Sequence, residues 1–553
     1  KMHVLVYGLS RGQHESLQSL SKNIYDVADY IEQNRIAHAV AHPIYRQNDK
    51  LERWHLERLF LLFKGFECLN GAHSALHREA FEPLLDRLTK LDMTRLSETH
   101  GLAAHWPQPW IKARVGGSDD HGLLNVGRTW TEFPPDANTP DDILNYLRIG
   151  ICQPGGEEGS SIKLAHTLYS VAVRYYTRQL LSSEQSPDLA TTLLQTITGE
   201  KAPPSRRKLA VIGLKNKLKK ITGRIVKPAA SSSSQSTVGT SHLKKLFLDS
   251  VRRQIKMQPQ LRESLESGLP PLGDHERMFS LISAVNRDVS EGLAAAIEAN
   301  IDQASFMGLF DTIGAILAQQ FMLLPYYFAV FHQNKERHLL RGITGIQTPK
   351  TAQSLRIGLF TDTFDEINGV ARFVADMGEQ AQLFGRQLIV HTCSSDPGNE
   401  LHGLARKNFR PLASQAMPYY SDLKLNLPPL LEILEWADRQ QFDAIHVSTP
   451  GPMGLCGWLV SKMLRVPMLA TYHTDFPAYV DKLARDHRIT NGTIEYMKWF
   501  YGQASMVFAR SGAYLFNLRD LNVPEEKLRM IPVVINIEKF HSSARDFGQD
   551  KKQ

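Results

Sequence analysis

The chain has little cysteine, no cysteine pair at C-x-x-C spacing, and no acidic residue anywhere from Lys201 to Leu248. Its four cysteines, Cys68, Cys152, Cys393 and Cys456, are scattered over 553 residues. That excludes a disulfide scaffold and a cysteine zinc site, and a reducing, cytoplasmic setting is the plain expectation. Fibrous and wholly disordered compositions are excluded as well, because hydrophobic residues make up 42% and charged residues 22%, close to globular averages. No internal repeat is evident. No secretory leader pattern comes before the first apolar run, and a chain that opens inside a strand without methionine is expected to be a piece of a longer protein. The length itself predicts about three or four domains.

The missing acids turn the net charge of +7 into a local feature. Residues 201–248 hold twelve Lys or Arg, and without them the balance is 52 basic against 57 acidic residues, a net of −5. Residues 1–150 alternate apolar runs (His3–Tyr7, Ala37–Ala41, Phe66–Leu69, Ile111–Val115) with helical patterns (Gln13–Gln33, Glu52–Phe63, Ala75–Leu91). Such alternation predicts a mainly parallel α/β domain. Residues 151–350 read as helical, with a basic amphipathic segment at 201–227 and a low-complexity linker, Ala229–Ser241. Alternation returns over 354–540, where Arg356–Thr361, Gln387–Thr392, Asp443–Val447, Pro467–Tyr472 and Ser505–Ala509 read as buried strands of a doubly wound sheet. A polar tail, 541–553, follows.

Within Lys208–Lys227 the residues Val211, Leu214, Leu218, Ile221 and Ile225 fall on one helical face, and lysines cover the rest. A basic amphipathic helix suits an anionic membrane surface, and packing against a neighbouring domain is the plain alternative. No aromatic residues interleave the charges to stack bases, which argues against nucleic acid. Ala304–His332 is long and apolar, but Asp311, Gln319, Gln320 and Pro325 interrupt it, so a buried helix pair or an interfacial segment is expected rather than a transmembrane span.

Three polar features stand at strand boundaries in the first domain: His3, His42 in AHPIY, and Asp119 with His121 in GGSDDHG. The carboxyl end of a strand is where parallel α/β folds gather functional groups, and an Asp-x-His loop can aim a carboxylate and an imidazole at one ion. Structural histidines are the competing reading, and Glu67 in FECLN could simply face solvent. The pieces HVLVYG, AHP and GSDDHG resemble the later motifs of the polymerase-and-histidinol-phosphatase (PHP) superfamily of metal phosphoesterases, a distorted β/α barrel. By that resemblance His3, His42, Asp119 and His121 are metal ligands for a divalent Zn, Mn or Fe ion. The family's opening His-x-His and the ligands that follow it have no counterpart here. A partial barrel with about half a metal site is therefore expected, binding metal weakly or not at all.

The last two hundred residues carry the most specific pattern. After the run RIGLFTD, Asn368 and Gly369 open a helix whose apolar face includes Val370, Phe373, Val374 and Met377. A glycine there lets a ligand approach the backbone, and a helix N-terminus favours a diphosphate. His473 follows the run Pro467–Tyr472, and the loop Ser448–Gly454 (STPGPMG) follows DAIHV, so three loops are expected at one sheet edge. The order DTFDEINGVARFV, FDAIHVSTPGPMGL, VPMLATYHTDFPAYV and ASMVFARS resembles retaining glycosyltransferases of family four, closest to the glycolipid mannosyl-, glucosyl- and sulfoquinovosyltransferases. The resemblance implies two facing Rossmann-like domains (GT-B), of which this chain holds the amino-terminal, acceptor-side one. It implies that Gly369 lines the donor diphosphate, that His473 contacts the transferred sugar as the catalytic residue, and that Asn368, Val370 and Asp475 border the same crevice. It implies a nucleotide-sugar donor, a lipid or sugar acceptor, no cofactor for the transfer, and a peripheral protein on the inner face of a membrane. The family's proline–asparagine–glycine turn is replaced by PVVINIEKF, and the donor domain is not matched. The other readings are a fragment that only binds ligands or partners, and a metal-dependent phosphoesterase or nuclease.

Overall fold

A computed structural model describes residues 2–46, 50–181, 237–257, 275–302, 306–343, 355–398, 404–417 and 420–531. The basic segment 201–227, most of the expected linker, the stretch PVVINIEKF and the polar tail lie outside the described residues. The chain divides into two compact units, Lys1–Val289 with Ser305–Gln347, and Ser290–Ala304 with Thr348–Gln553.

In the first unit β1 (His3–Tyr7), β2 (Ala37–Ala41), β3 (Gly65–Asn70) and β4 (Ala113–Gly117) form a partial sheet in that order. β2, β3 and β4 run parallel, in keeping with a mainly parallel arrangement, and β1 pairs antiparallel with β2. The helix expected over Gln13–Gln33 is two helices, Arg11–Leu20 and Ile24–Gln33, the second capped by Asn23, whose side-chain oxygen accepts from the Tyr25 amide at 3.1 Å. The helix expected over Ala75–Leu91 breaks in the same way at Thr89, which forms a capping box with Asp92. A small hairpin of β5 (Thr129–Glu132) and β6 (Gln153–Gly156) was not legible, since its short strands lack apolar alternation. Ile31, Leu61, Phe63, Phe66 and Phe81 fill the core between helices and sheet.

Five described helices follow in this unit's sequence region: Ser161–Leu181, Thr237–Met257, His275–Asp302, Phe306–Asn334 and Arg337–Ile343. The helix from Thr237 begins inside the expected linker, because Leu243, Leu246 and Phe247 already return at helical steps.

The second unit is built on seven parallel strands in the order β15-β14-β13-β12-β7-β8-β9. They are β7 (Arg356–Phe360), β8 (Gln387–Cys393), β9 (Arg406–Phe409), β12 (Ala444–Val447), β13 (Met468–Tyr472), β14 (Met506–Ala509) and β15 (Leu528–Met530); β10 (Ala413–Met417) and β11 (Tyr420–Leu427) form a separate hairpin. This is the Rossmann-like sheet the alternation predicts, with β9 and β15 added at its edges. Chain order runs outward from β7 in one direction and outward from β12 in the other. The switch point therefore lies between β7 and β12, where open parallel sheets form their ligand crevice.

Candidate functional site

At the switch point Asp362 follows β7. Its Oδ1 accepts from the Met453 amide at 2.8 Å, and its Oδ2 accepts from the Thr449 hydroxyl at 2.5 Å. The Thr449 oxygen in turn accepts from the Asp362 amide at 2.9 Å. The carboxylate thus sits at the N-terminus of the helix Pro452–Leu464, where unpaired amides and the helix dipole hold an anion. Burial pushes its carboxyl up from the ordinary range, and the hydrogen bonds from Thr449, Met453 and the neighbouring amides pull against that shift. A Cβ on Gly451 would lie 2.5 Å from the Asp362 carboxylate, and one on Gly454 would lie 1.9 Å from the Thr449 carbonyl oxygen. Gly451 thus leaves room for the internal carboxylate, and Gly454 for the close approach of the Thr449 backbone.

Asn368 caps the helix Gly369–Leu383. Its Oδ1 accepts from the amides of Val370 (3.0 Å) and Ala371 (2.8 Å), and its Nδ2 donates to Glu366 at 2.8 Å. The Asn368 and Val370 groups are thereby engaged within the loop. Gly369 differs: a Cβ there would meet nothing within 4 Å, so the space beside it is open. Four residues on, Phe373 turns inward and meets the His473 ring edge-on at a centroid distance of 5.1 Å, while the Arg510 guanidinium lies 4.8 Å over the same Phe373 ring. One aromatic side chain therefore joins the Gly369 helix to the ends of β13 and β14.

His473 is buried, with 8% of its surface exposed. Its Nε2 is 3.0 Å from the Ser448 hydroxyl, and its Nδ1 has no hydrogen-bond partner. Burial, then the Arg510 charge, hold its pKa down at about 3, so the imidazole is neutral at neutral pH. Thr361 Oγ1, Thr363 Oγ1 and Arg510 Nε are likewise buried without partners. Four unanswered polar atoms stand at the carboxyl ends of β7, β13 and β14, where buried polar groups ordinarily pair. Asp475 is fully engaged: it caps the helix Phe476–Ala484 through the Ala478 amide and accepts from Tyr472 and Asn517. The structure brings Gly369, His473 and the loop that opens at Ser448 to one edge of the sheet. Asp362 and Arg510 were not singled out in the sequence, and of these only Asp362, a carboxylate ending a buried strand, carries a readable signal.

In the first unit His42 and Asp119 both adopt left-handed backbone, with φ of 33° and 43°. Non-glycine residues take this conformation at a cost, and such strain gathers at functional sites. His42 Nε2 lies 3.1 Å from His3 Nδ1, and the His42 amide donates to Glu67 at 2.7 Å. Asn70 donates to Glu67 at 2.9 Å and to Asp119 at 3.2 Å. Burial pushes Glu67 up to about 7, opposed by the hydrogen bonds from Asn70 and the His42 amide and helped by the Asp119 charge. Glu67 is thus the hub of this cluster rather than a solvent-facing residue. His121 stands apart: its side chain is 77% exposed, and its Nδ1 lies 3.9 Å from the nearest Asp119 carboxylate oxygen. His73 and His77, not singled out in the sequence, extend the cluster, with ring centroids 6.0 Å from His42 to His73 and 4.7 Å from His73 to His77. His3, His42 and Asp119 carry donors of the kind a divalent ion takes, yet among the described residues no three His, Cys, Asp or Glu side chains are grouped to hold one.

The segment 332–337 covers this cluster. Glu336 accepts from the Arg46 amide at 2.7 Å and pairs with His77 at 3.0 Å; Gln333 bonds the Ser74 amide and the Ala72 carbonyl, both at 2.8 Å.

Comparison with known proteins agrees with both parts. Residues 367–539 match the model of Glycosyltransferase Family 4, and residues 98–152 match a PHP-associated family. Alpha-monoglucosyldiacylglycerol synthase of Streptococcus pneumoniae is 28% identical over 190 residues, 34% of this chain and 42% of that protein. Sulfoquinovosyl transferase of Arabidopsis thaliana is 29% identical over 131 residues, 23% of this chain and 25% of that protein. GDP-mannose-dependent alpha-mannosyltransferase of Mycobacterium tuberculosis is 25% identical over 202 residues, 35% of this chain and 50% of that protein. The chain spans half or less of the length of each. Among solved structures, sucrose-phosphate synthase of Thermosynechococcus elongatus aligns at 19% identity over 33% of this chain and 49% of that chain, with a TM-score of 0.27.

Proposed function

From a chain whose residues 367–539 are a family 4 glycosyltransferase segment, we propose that the second unit serves a retaining sugar transfer from a nucleotide-sugar donor to a lipid headgroup, as the acceptor-side half of the enzyme. The observation that carries the reading is the unpartnered Nδ1 of His473, buried at the switch-point edge and joined through Phe373 to the helix that Gly369 opens. Nε2 is engaged by Ser448, so Nδ1 is the ring nitrogen left for the ligand: with the Ser448 hydroxyl donating to Nε2, Nδ1 carries the proton and donates to a sugar hydroxyl or a phosphate oxygen. Arg510 supplies positive charge beside it. Leaving diphosphate is then stabilised by that cation and by the helix N-terminus, a preorganised electrostatic route that needs no metal. The open space beside Gly369 admits the diphosphate to the backbone.

The lipid acceptor rests on one relative, named an alpha-monoglucosyldiacylglycerol synthase. An anionic membrane surface as partner rests on the basic run 201–227, and a cytoplasmic location on four free cysteines. No phosphoesterase step is assigned to the first unit.

The test is glycolipid formation from UDP- or GDP-sugars on diacylglycerol vesicles, using the chain extended through the donor domain. His473→Ala should lower the rate about a hundredfold while leaving the melting temperature near the parent's. An unchanged rate in that variant would overturn the reading.

A further inference from the structure

The helix Phe306–Asn334 is apolar on both faces. On the face turned into the first unit Ala315, Leu323, Ala329 and Val330 are buried, and among them the polar side chains Gln319, Tyr326 and Gln333 recur every seven residues, each bonded there. Gln319 donates to the Asn286 side-chain oxygen at 2.7 Å, the Tyr326 hydroxyl bonds His166 Nε2 at 2.7 Å, and Gln333 bonds Ala72 and Ser74. The opposite face carries Ile313, Leu317, Phe321, Leu324, Phe328 and Phe331, at steps of four, four, three, four and three, all exposed, with Leu317 at 65% and Phe321 at 74%. No charged side chain is exposed between residues 312 and 331. A surface helix of a water-soluble domain turns polar side chains outward, and an uncovered apolar stripe of this length marks a docking face.

We propose that this face lies in the headgroup–acyl boundary of an anionic bilayer, as an interfacial helix. By length and composition the stretch Thr312–Leu340 is apolar enough to cross a membrane. Spanning would strip the inward hydrogen bonds of Gln319, Tyr326 and Gln333 and leave those groups without water, whereas lying in the boundary keeps them and buries only the outer stripe. A protein partner is disfavoured because the stripe offers no charge to fix its register. Charge complementarity points to lipid: residues 201–236 hold ten cations and no acid, within the stretch of sequence joining Ser161–Leu181 to Thr237–Met257, and both helices pack against Phe306–Asn334. The proposal goes beyond the transferase reading and does not need it, since it rests on the first unit alone.

The experiment is vesicle flotation of the full chain, without any sugar donor, on phosphatidylcholine vesicles with and without phosphatidylglycerol. The parent should float with the mixed vesicles, and the variant Leu317→Ser/Phe321→Ser/Phe328→Ser should lose about tenfold or more in partitioning. A second readout does not depend on the triple variant: Phe321→Trp should show blue-shifted emission and quenching by brominated lipid tails beyond that of the parent. Parent chain that stays off mixed vesicles, a triple variant that floats like the parent, or an introduced tryptophan that ignores brominated tails would each overturn the proposal. So would a parent dimer in vesicle-free buffer that the triple variant dissolves, which would assign the face to a second copy. Loss or retention of glycolipid synthesis leaves these readouts unmoved, so the two readings fail separately.

Discussion

The two sheets present their carboxyl edges differently. Beyond β2 and β3, in the first unit, the chain covers the polar cluster with its own side chains: Glu336 takes the Arg46 amide and His77, and Gln333 bridges Ala72 and Ser74. Beyond β7, β13 and β14, in the second unit, Asp362 closes one helix end, but Thr361, Thr363, His473 and Arg510 keep unanswered atoms. The first edge has imidazole nitrogens left over as well, on His77 and His332, yet its carboxylates are all engaged. The first edge is thus covered largely by the protein's own side chains; on the transferase reading proposed above, the second is completed by a ligand.

Four measurements break or sharpen that contrast. Asp362→Ala removes a buried carboxylate that accepts from the Thr449 hydroxyl and the Met453 amide, and should cost the second unit about 3 kcal/mol in thermal unfolding. Glu336→Ala should cost the first unit about 2 kcal/mol, because the Arg46 amide and His77 lose their acceptor. A smaller loss than that of an ordinary surface substitution would mean the first edge is not sealed by this contact.

The third concerns pH. Burial holds His166 at about 3 and His275 at about 4, and the two rings meet at 2.7 Å in a chain that runs from Tyr326 to Asn125. Below the ordinary histidine pKa of about 6.5 the unfolded chain takes up protons that the folded one refuses. Their contribution is therefore complete above about 6.5 and falls as pH drops toward 4, by about 1.4 kcal/mol per pH unit for each histidine. Glu67 runs the other way: raised to about 7, it contributes fully below the ordinary carboxyl range and loses that contribution as pH rises through 7. Melts across pH 4 to 8 should show the histidine slope steepen when Glu67 is replaced by Gln.

The smallest expected effect is the most discriminating. Gly369→Ala meets open space, and its backbone is not left-handed, so the variant should be more stable by about 0.5 kcal/mol. In the extended enzyme it should nevertheless bind nucleotide-sugar more weakly, as titration calorimetry would show. A variant unchanged in binding would remove Gly369 from the site.

Much of the second edge was legible because each signal is local. Apolar runs ending in polar loops place Gly369 and His473 at the same side of a parallel sheet, whatever the packing around them. The pairing of Ser448 with His473 and the place of Arg510 were not legible, since a serine or an arginine after a strand says nothing until its neighbour across the sheet is known. Glu67 shows the same limit in reverse: in FECLN it looks like a strand-end residue facing solvent, and only the register with Asn70, Asp119 and the His42 amide makes it the centre of a cluster. His121 looked equivalent to Asp119 and stands outside, because the left-handed turn at Asp119 directs the following residues away.

By itself the sequence determined the alternation of strands and helices, the cap at Asn368, the buried strands of the parallel sheet and the concentration of positive charge in one stretch. These follow from periodicity, capping chemistry and composition, which act between near neighbours. Tertiary structure decided the reversed direction of β1, the closing of the first edge by residues 332–337, and which face of Phe306–Asn334 is turned outward. Those outcomes depend on groups distant in the chain, more than two hundred positions apart in the case of Ser74 and Gln333, and no local pattern encodes such a meeting.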